Sequence, residues 1–243
     1  MNRIAKLIFA VISAGLSIGL TVLALALPSL AHAGPGQIVT RDYPWRSDQL
    51  TLEVPADVRF RPGRDWHLTI RAPERTLHRL VVENGVIKAK SSECFSLIPF
   101  CIGFGDHLDH NVDVELTGPA LRSVKVEGTG TIDLDGVQQS RLRLKIEGSA
   151  TVRGSGSVDT AAMEIDGAGN IHLAQLTETR ARVVIHGSGT VDIAPTASVR
   201  VRIDGAGTVR LHSDPPHVTS HIFGAGEVVK VPAGQSATAH SAG

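Results

Sequence analysis

Glu127, Glu147, Asp166, His186 and Asp204 each stand immediately before a glycine at the same place in a repeated pattern, and Phe223 takes the sixth place. If the copies stack as coils, the five polar side chains form a column with a spacing of about 4.8 Å. Carboxylates that close allow three chemistries. A retaining glycosidase needs two carboxyl groups about 5–5.5 Å apart. Calcium or a cationic partner would relieve their mutual repulsion. A solvated acidic ladder needs neither. Catalysis also requires asymmetry, with one carboxyl desolvated, a cation beside it and a cleft around both. This column follows the repeat instead of breaking it. It therefore reads first as a solvated ladder and second as a binding column for a cation or cationic partner, with a carbohydrate-active enzyme (a lyase or hydrolase of acidic polysaccharide) as the alternative. The calcium-binding G-G-x-G-x-D nonapeptide is absent, so at most weak calcium binding is expected and no other cofactor. A proton on His186 would relieve repulsion between Asp166 and Asp204.

A second polar cluster is Asp106, His107, Asp109 and His110. On a strand, Asp106 and His110 share one face and His107 and Asp109 the other, so no face offers three ligands. A solvated turn is the simpler reading, and a metal site the weaker one. Cys94 and Cys101 enclose six residues including Pro99. In an oxidising compartment they read as a disulfide stapling an apolar loop. A redox pair would more typically be C-x-x-C. The sequence contains no nucleophile elbow, Walker loop or HExxH helix.

The elements that must position the column are written into the spacing. Gly128, Gly148, Gly167, Gly187, Gly205 and Gly224 lead six copies of a G-x-G-like unit at steps of 20, 19, 20, 18 and 19 residues. Four residues before each stand Val124, Leu144, Met163, Val183, Val201 and Ser220. Two before stand Val126, Ile146, Ile165, Ile185, Ile203 and Ile222. Four after stand Ile132, Val152, Ile171, Val191, Val209 and Val228. Lys125, Lys145, Glu164 and Arg202, and Thr131, Thr151, Thr190 and Thr208, lie between them. Alternation on both sides of a glycine predicts two short strands meeting at a corner. One such unit cannot cover its own apolar face. Coiling turns that face inward, and parallel stacking of coils buries it in continuous ladders. The expected fold is all-β: a single-stranded parallel β-helix, or β-solenoid, with coils of about 19 residues. The glycines then serve positive φ or close approach of neighbouring backbones, and Ala150 shows that the second position tolerates a Cβ.

This pattern resembles the putative auto-transporter adhesin head GIN domain family of exported bacterial β-solenoids. The resemblance rests on residues 119–130, the later G-[SA]-G repeats, and the opening strands at Leu50–Val58 and Val81–Ile87, and covers about residues 50–230. It implies a right-handed coil and an adhesive or envelope role. It supplies no catalytic residues to carry over.

The front half, about 48–116, carries less regular strands around Leu50–Val54, Val58–Phe60, Trp66–Ile70, Leu80–Val82 and Val112–Leu116. It reads as the same solenoid, continuous with the six repeats at about 119–230. Trp45 and Trp66 read as packing over the open end of the core. At the far end Lys230, Pro232 and a tail at 231–243 are expected to discourage edge-to-edge growth. Residues 1–33 begin with Arg3 and Lys6, continue through an uncharged stretch from Leu7 to Leu30, and end in Ala31-His32-Ala33. That is a secretory signal pattern, with an uncleaved anchor as the alternative, and it places 34–230 outside the cytoplasm, in the periplasm or at the cell surface. The formal charge of the whole chain is zero, which leaves no basic field for nucleic acid. Mixed charge in the outward residues Asp133, Arg153, His172, Asp192 and Arg210 suits weak multivalent contact with an envelope glycan or protein. Self-association through the open end of the coil is a further expectation.

Overall fold

The computed structural model describes residues 37–90 and 112–231. The leader at 1–33, Cys94 and Cys101, the Asp106, His107, Asp109, His110 cluster and the tail beyond Val231 lie outside the described residues. In chain order the strands are β1 (Ile38–Tyr43), β2 (Gln49–Leu52), β3 (Asp57–Pro62), β4 (His67–Pro73), β5 (Leu80–Glu83), β6 (Val86–Ala89), β7 (Asp113–Gly118), β8 (Ser123–Val126), β9 (Thr129–Ile146), β10 (Ser149–Ile165), β11 (Ala168–Ile185), β12 (Ser188–Leu211), β13 (His217–Gly224) and β14 (Glu227–Lys230), with one helical turn, α1 (Glu74–Leu77), after β4.

The fold is the β-solenoid that the spacing predicts. Strands β9 to β13 pair in parallel with their neighbours, one winding to the next. Like stacks on like: Leu50, Val124, Leu144, Met163, Val183 and Val201 form one inner ladder, and Leu52, Val126, Ile146, Ile165, Ile185 and Ile203 a second. Every member of both is at most 1% exposed. Each such burial removes about 1.5–3 kcal/mol of apolar side chain from water. The irregular steps are absorbed by bulges away from the glycine corners. Winding β11 carries the largest, where the register with β12 jumps between His172 and Thr177.

The glycine column resolves the two expected roles in favour of close approach. A Cβ on Gly148 would lie 2.0 Å from the carbonyl oxygen of Gly128, and one on Gly187 would lie 2.1 Å from that of Gly167. The corners touch through bare backbone, and a side chain has nowhere to go.

The front half departs from a plain continuation of the coil. β2 and β3 form a proper winding, parallel to β8 and β9. The chain then turns back over its outer side. β4 runs antiparallel to β1 and to β7, and β5 and β6 form an antiparallel hairpin. β6 and β7 return in parallel on β2 and β3 before the chain crosses to β8. The hairpin turns at Asn84 (φ 50°) and Gly85 (φ 84°), the paired positive-φ geometry that Asn-Gly favours. This end is closed: Trp45 is buried there, and Trp66 lies over Gly118. The cap-packing expectation for both tryptophans agrees with these positions.

Candidate functional site

The column of Glu127, Glu147, Asp166, His186 and Asp204 forms at the corner as the stacking predicts, but it is not an array of unrelieved carboxylates. Alternation puts residues two apart on the same face, so Lys125, Lys145, Glu164 and Arg202 line up directly beside it. Lys125 Nζ lies 2.6 Å from Glu127 and 2.9 Å from Glu147. Lys145 Nζ lies 3.0 Å from each of Glu147, Glu164 and Asp166. Further along, the ring nitrogens of His186 reach Asp166 at 2.9 Å and Asp204 at 3.4 Å, and Arg202 meets Asp204 at 2.7 Å. The result is a continuous zigzag of ion pairs.

Hydrogen bonds from Lys125 and then Lys145 hold the Glu147 carboxyl below the usual carboxylate range. Those from His186 and then Lys145 do the same for Asp166. Both lysines are pushed up by the same contacts. Glu164, Asp166 and His186 bring ligand atoms within 4.8 Å of one another, a set suited to a divalent cation. The Lys145 ammonium already sits against both carboxylates, so an ion would have to displace it. Carboxyls held ionised this way are the opposite of a general acid, which needs a raised pKa.

Immediately past the corner the surface changes character. An open, uncharged groove of about 300 Å³ crosses four windings, lined by Gly130, Ser149, Ala150, Thr151, Ala168, Gly169, Asn170, Ser188 and Gly189. Its small residues set the floor, and the hydroxyls of Ser149, Thr151 and Ser188 and the amide of Asn170 face outward. Thr151 is the member of the threonine row that lines the groove: Thr131, Thr151, Asn170 and Thr190 fall in register, with Asn170 in the threonine's place in β11.

The mixed-charge residues also fall into register: Glu115, Arg59, Asp133, Arg153, His172 and Asp192 follow one another strand by strand. Asp192 departs from the outward, solvated position expected of it. It is 7% exposed and receives His172 at 2.7 Å, His212 at 3.2 Å and Arg210 at 3.4 Å. Burial would raise its pKa, but the hydrogen bonds from His172 and His212, with Arg210, outweigh burial and hold it below the usual range. Asp192→Ala strips three donors of their shared acceptor. It should cost about 1–3 kcal/mol, read as a lower urea midpoint at unchanged slope.

Sequence reasoning missed Glu178. It points into the coil in register with Val158 and Pro195 and is fully buried. Its Oε2 accepts the Ala194 N–H at 3.1 Å, and its Oε1 has no hydrogen-bond partner. Burial pushes its pKa up to about 8.

No helix among the described residues is long and apolar enough to cross a membrane. Comparison with curated proteins gives no match. Among solved structures, a putative adhesin from Bacteroides fragilis superposes with a TM-score of 0.58 at 16% identity, over 81% of this chain and 99% of that one. A putative lipid binding protein from Parabacteroides distasonis (TM-score 0.43, 18% identity, 82% and 98% coverage) and a putative adhesin from Parabacteroides merdae (0.43, 16%, 82% and 98%) align more loosely. At 16% identity the likeness to the Bacteroides fragilis structure shows a shared fold and nothing more. The profile of one sequence family matches residues 48–215, which take in the front winding and five of the six glycine corners. The chain belongs to the family described as putative auto-transporter adhesin, head GIN domain.

Proposed function

We propose that this chain is an exported, non-catalytic binding scaffold of the cell envelope, and that it holds a neutral stretch of glycan in the groove beside its glycine corners. The observation that carries this reading is the contrast across the corner. On one side every carboxylate of the column touches a Lys, Arg or His, so its charge is spent within the protein. On the other side lies an uncharged groove whose polar groups are hydroxyls and one carboxamide. Hydroxyls of the β10 and β12 windings, with the Asn170 carboxamide of β11 between them, offer a linear glycan a polar group at each of three successive windings, which favours many weak contacts over one deep pocket. The adhesin description of the family supports a partner outside the cell.

The test is a glycan array probed with the whole chain, followed by calorimetry on any hit. Neutral, linear glycans should bind, and Thr151→Val with Ser188→Ala should weaken binding at least tenfold at unchanged melting temperature. Each lost hydroxyl contact is worth about 0.5–1.5 kcal/mol. Binding confined to charged glycans, or insensitive to both changes, overturns the groove assignment. Cleavage of a glycan during incubation overturns the non-catalytic reading.

A further inference from the structure

We propose that two copies of this chain pair head to head through the open edge of β13, antiparallel, with a two-fold axis at Ser220. The two ends of the solenoid are built differently. The N-terminal end is covered by the antiparallel strands β1 and β4, by α1 and by Trp45. At the other end no residue of β13 is buried. Val218 and Ile222 stand over Val199 and Ile203 and continue the inner ladders, yet they are 41% and 39% exposed. Phe223 on the outer face is 61% exposed.

The backbone points the same way. Ala225 donates to the Gly205 carbonyl of β12. By alternation, the odd-numbered residues of β13 turn their N–H and C=O groups to β12. Val218, Ser220 and Ile222 then turn theirs to the open edge, and these same residues carry the inward side chains. Antiparallel pairing about Ser220 sets Val218 opposite Ile222 of the second copy and Ser220 opposite its counterpart. That register closes about six backbone hydrogen bonds and extends the apolar interior across the axis.

Exposed edges are ordinarily blunted by Lys, Pro or a bulge. The run His217–Gly224 contains no Lys or Pro, its pairing with β12 is unbroken, and Lys230 is tied to Asp214 at 2.5 Å. Residues 232–243 contain no apolar side chain larger than Ala or Pro to cover Ile222 and Phe223. A second copy supplies the missing strand and the missing apolar face together. A two-fold contact is closed by its own symmetry, so pairing through β13 stops at two.

The chain expressed with its own N-terminal segment should sediment as a dimer that dissociates on dilution. Ser220→Pro removes only the edge-facing N–H, and Ile222→Lys places a charge on the inward edge. Both should be monomeric with unchanged circular dichroism. Ser220→Cys should give a disulfide-linked dimer on a non-reducing gel where the wild type gives none, since paired Cα atoms at the axis lie about 5.5 Å apart. A wild type that stays monomeric across a hundredfold concentration range overturns the proposal. So does a dimer that survives both edge variants, an open-ended polymer, or a failure of Ser220→Cys to cross-link. None of these readouts depends on glycan binding.

Discussion

Gly148→Ala is expected to lower the melting temperature by roughly 10 °C, while Gly169→Ala leaves it within about 3 °C. The two glycines sit in adjacent windings of the same repeat, and a sequence profile would treat both as corner residues. The added Cβ meets different things. At Gly148 it would lie 2.0 Å from the Gly128 carbonyl oxygen and 2.6 Å from that of Glu127, both backbone atoms held in the ladder. Relief requires the two windings to separate at the corner, which breaks parallel hydrogen bonds and opens the apolar ladder at Val126 and Ile146. That is the upper end of overpacking, about 3 kcal/mol or more, and a chain of this size shifts by about 2–4 °C per kcal/mol. At Gly169 the nearest atom is Ile146 Cδ1 at 2.8 Å, the tip of a side chain that can rotate away. Ala150 occupies the matching place one winding earlier. Thermal melts of both variants decide it: equal losses would mean that close approach is not what selects glycine at position 148.

The coil was legible in the sequence because stacking repeats one local solution. Period-two alternation names the inner ladders, and the near-constant step names the register, so Leu144, Met163 and Val183 could be placed on one another without coordinates. The same alternation carried Lys125 and Lys145 onto the face of Glu127, Glu147 and Asp166. Treating the acids as a column by themselves left out the neighbours two residues away, and with them the ion pairs that cancel the expected repulsion. The front half was less legible for a different reason. Its strands alternate correctly, but whether β4 runs with or against β7 is decided by pairing partners distant in the chain, and no repeat announces them. Asn84-Gly85 was the one local signal of a hairpin. The groove was present as the small residues of the G-x-G-like units, but whether they form a groove or a flat surface depends on how the side chains of neighbouring windings stack around them. Glu178 was hidden by the bulge in β11. Three extra residues between His172 and Thr177, relative to β12, invert the alternation there, and a position that reads as outward in the regular pattern turns into the interior.

That buried carboxyl makes the stability of this protein depend on pH in the direction opposite to most acids. Glu178 titrates near 8 when folded because burial disfavours its charged form, against an ordinary value of 4.5. Below about pH 4.5 both folded and unfolded chains hold the proton, and its contribution to stability is fully present. Between about 4.5 and 8 the unfolded chain releases the proton and the folded chain keeps it, so stability falls as pH rises. Above 8 the folded protein either carries an unpaired interior charge or opens around it. At about 1.36 kcal/mol per pH unit, the loss across this window is on the order of 5 kcal/mol, or roughly 10–20 °C in melting temperature. Asp192, Glu147 and Asp166 have lowered folded values, so their stabilisation is lost only as pH falls below the ordinary carboxylate range, outside this window. Glu178→Gln retains an acceptor for the Ala194 N–H and cannot ionise. It should melt near the wild type at pH 5 and well above it at pH 8. The difference between the two proteins, followed by calorimetry from pH 5 to 9, cancels the exposed histidines common to both. Parallel curves across that range would mean that the Glu178 carboxyl ionises at its ordinary pH and that water reaches the interior beside the β11 bulge.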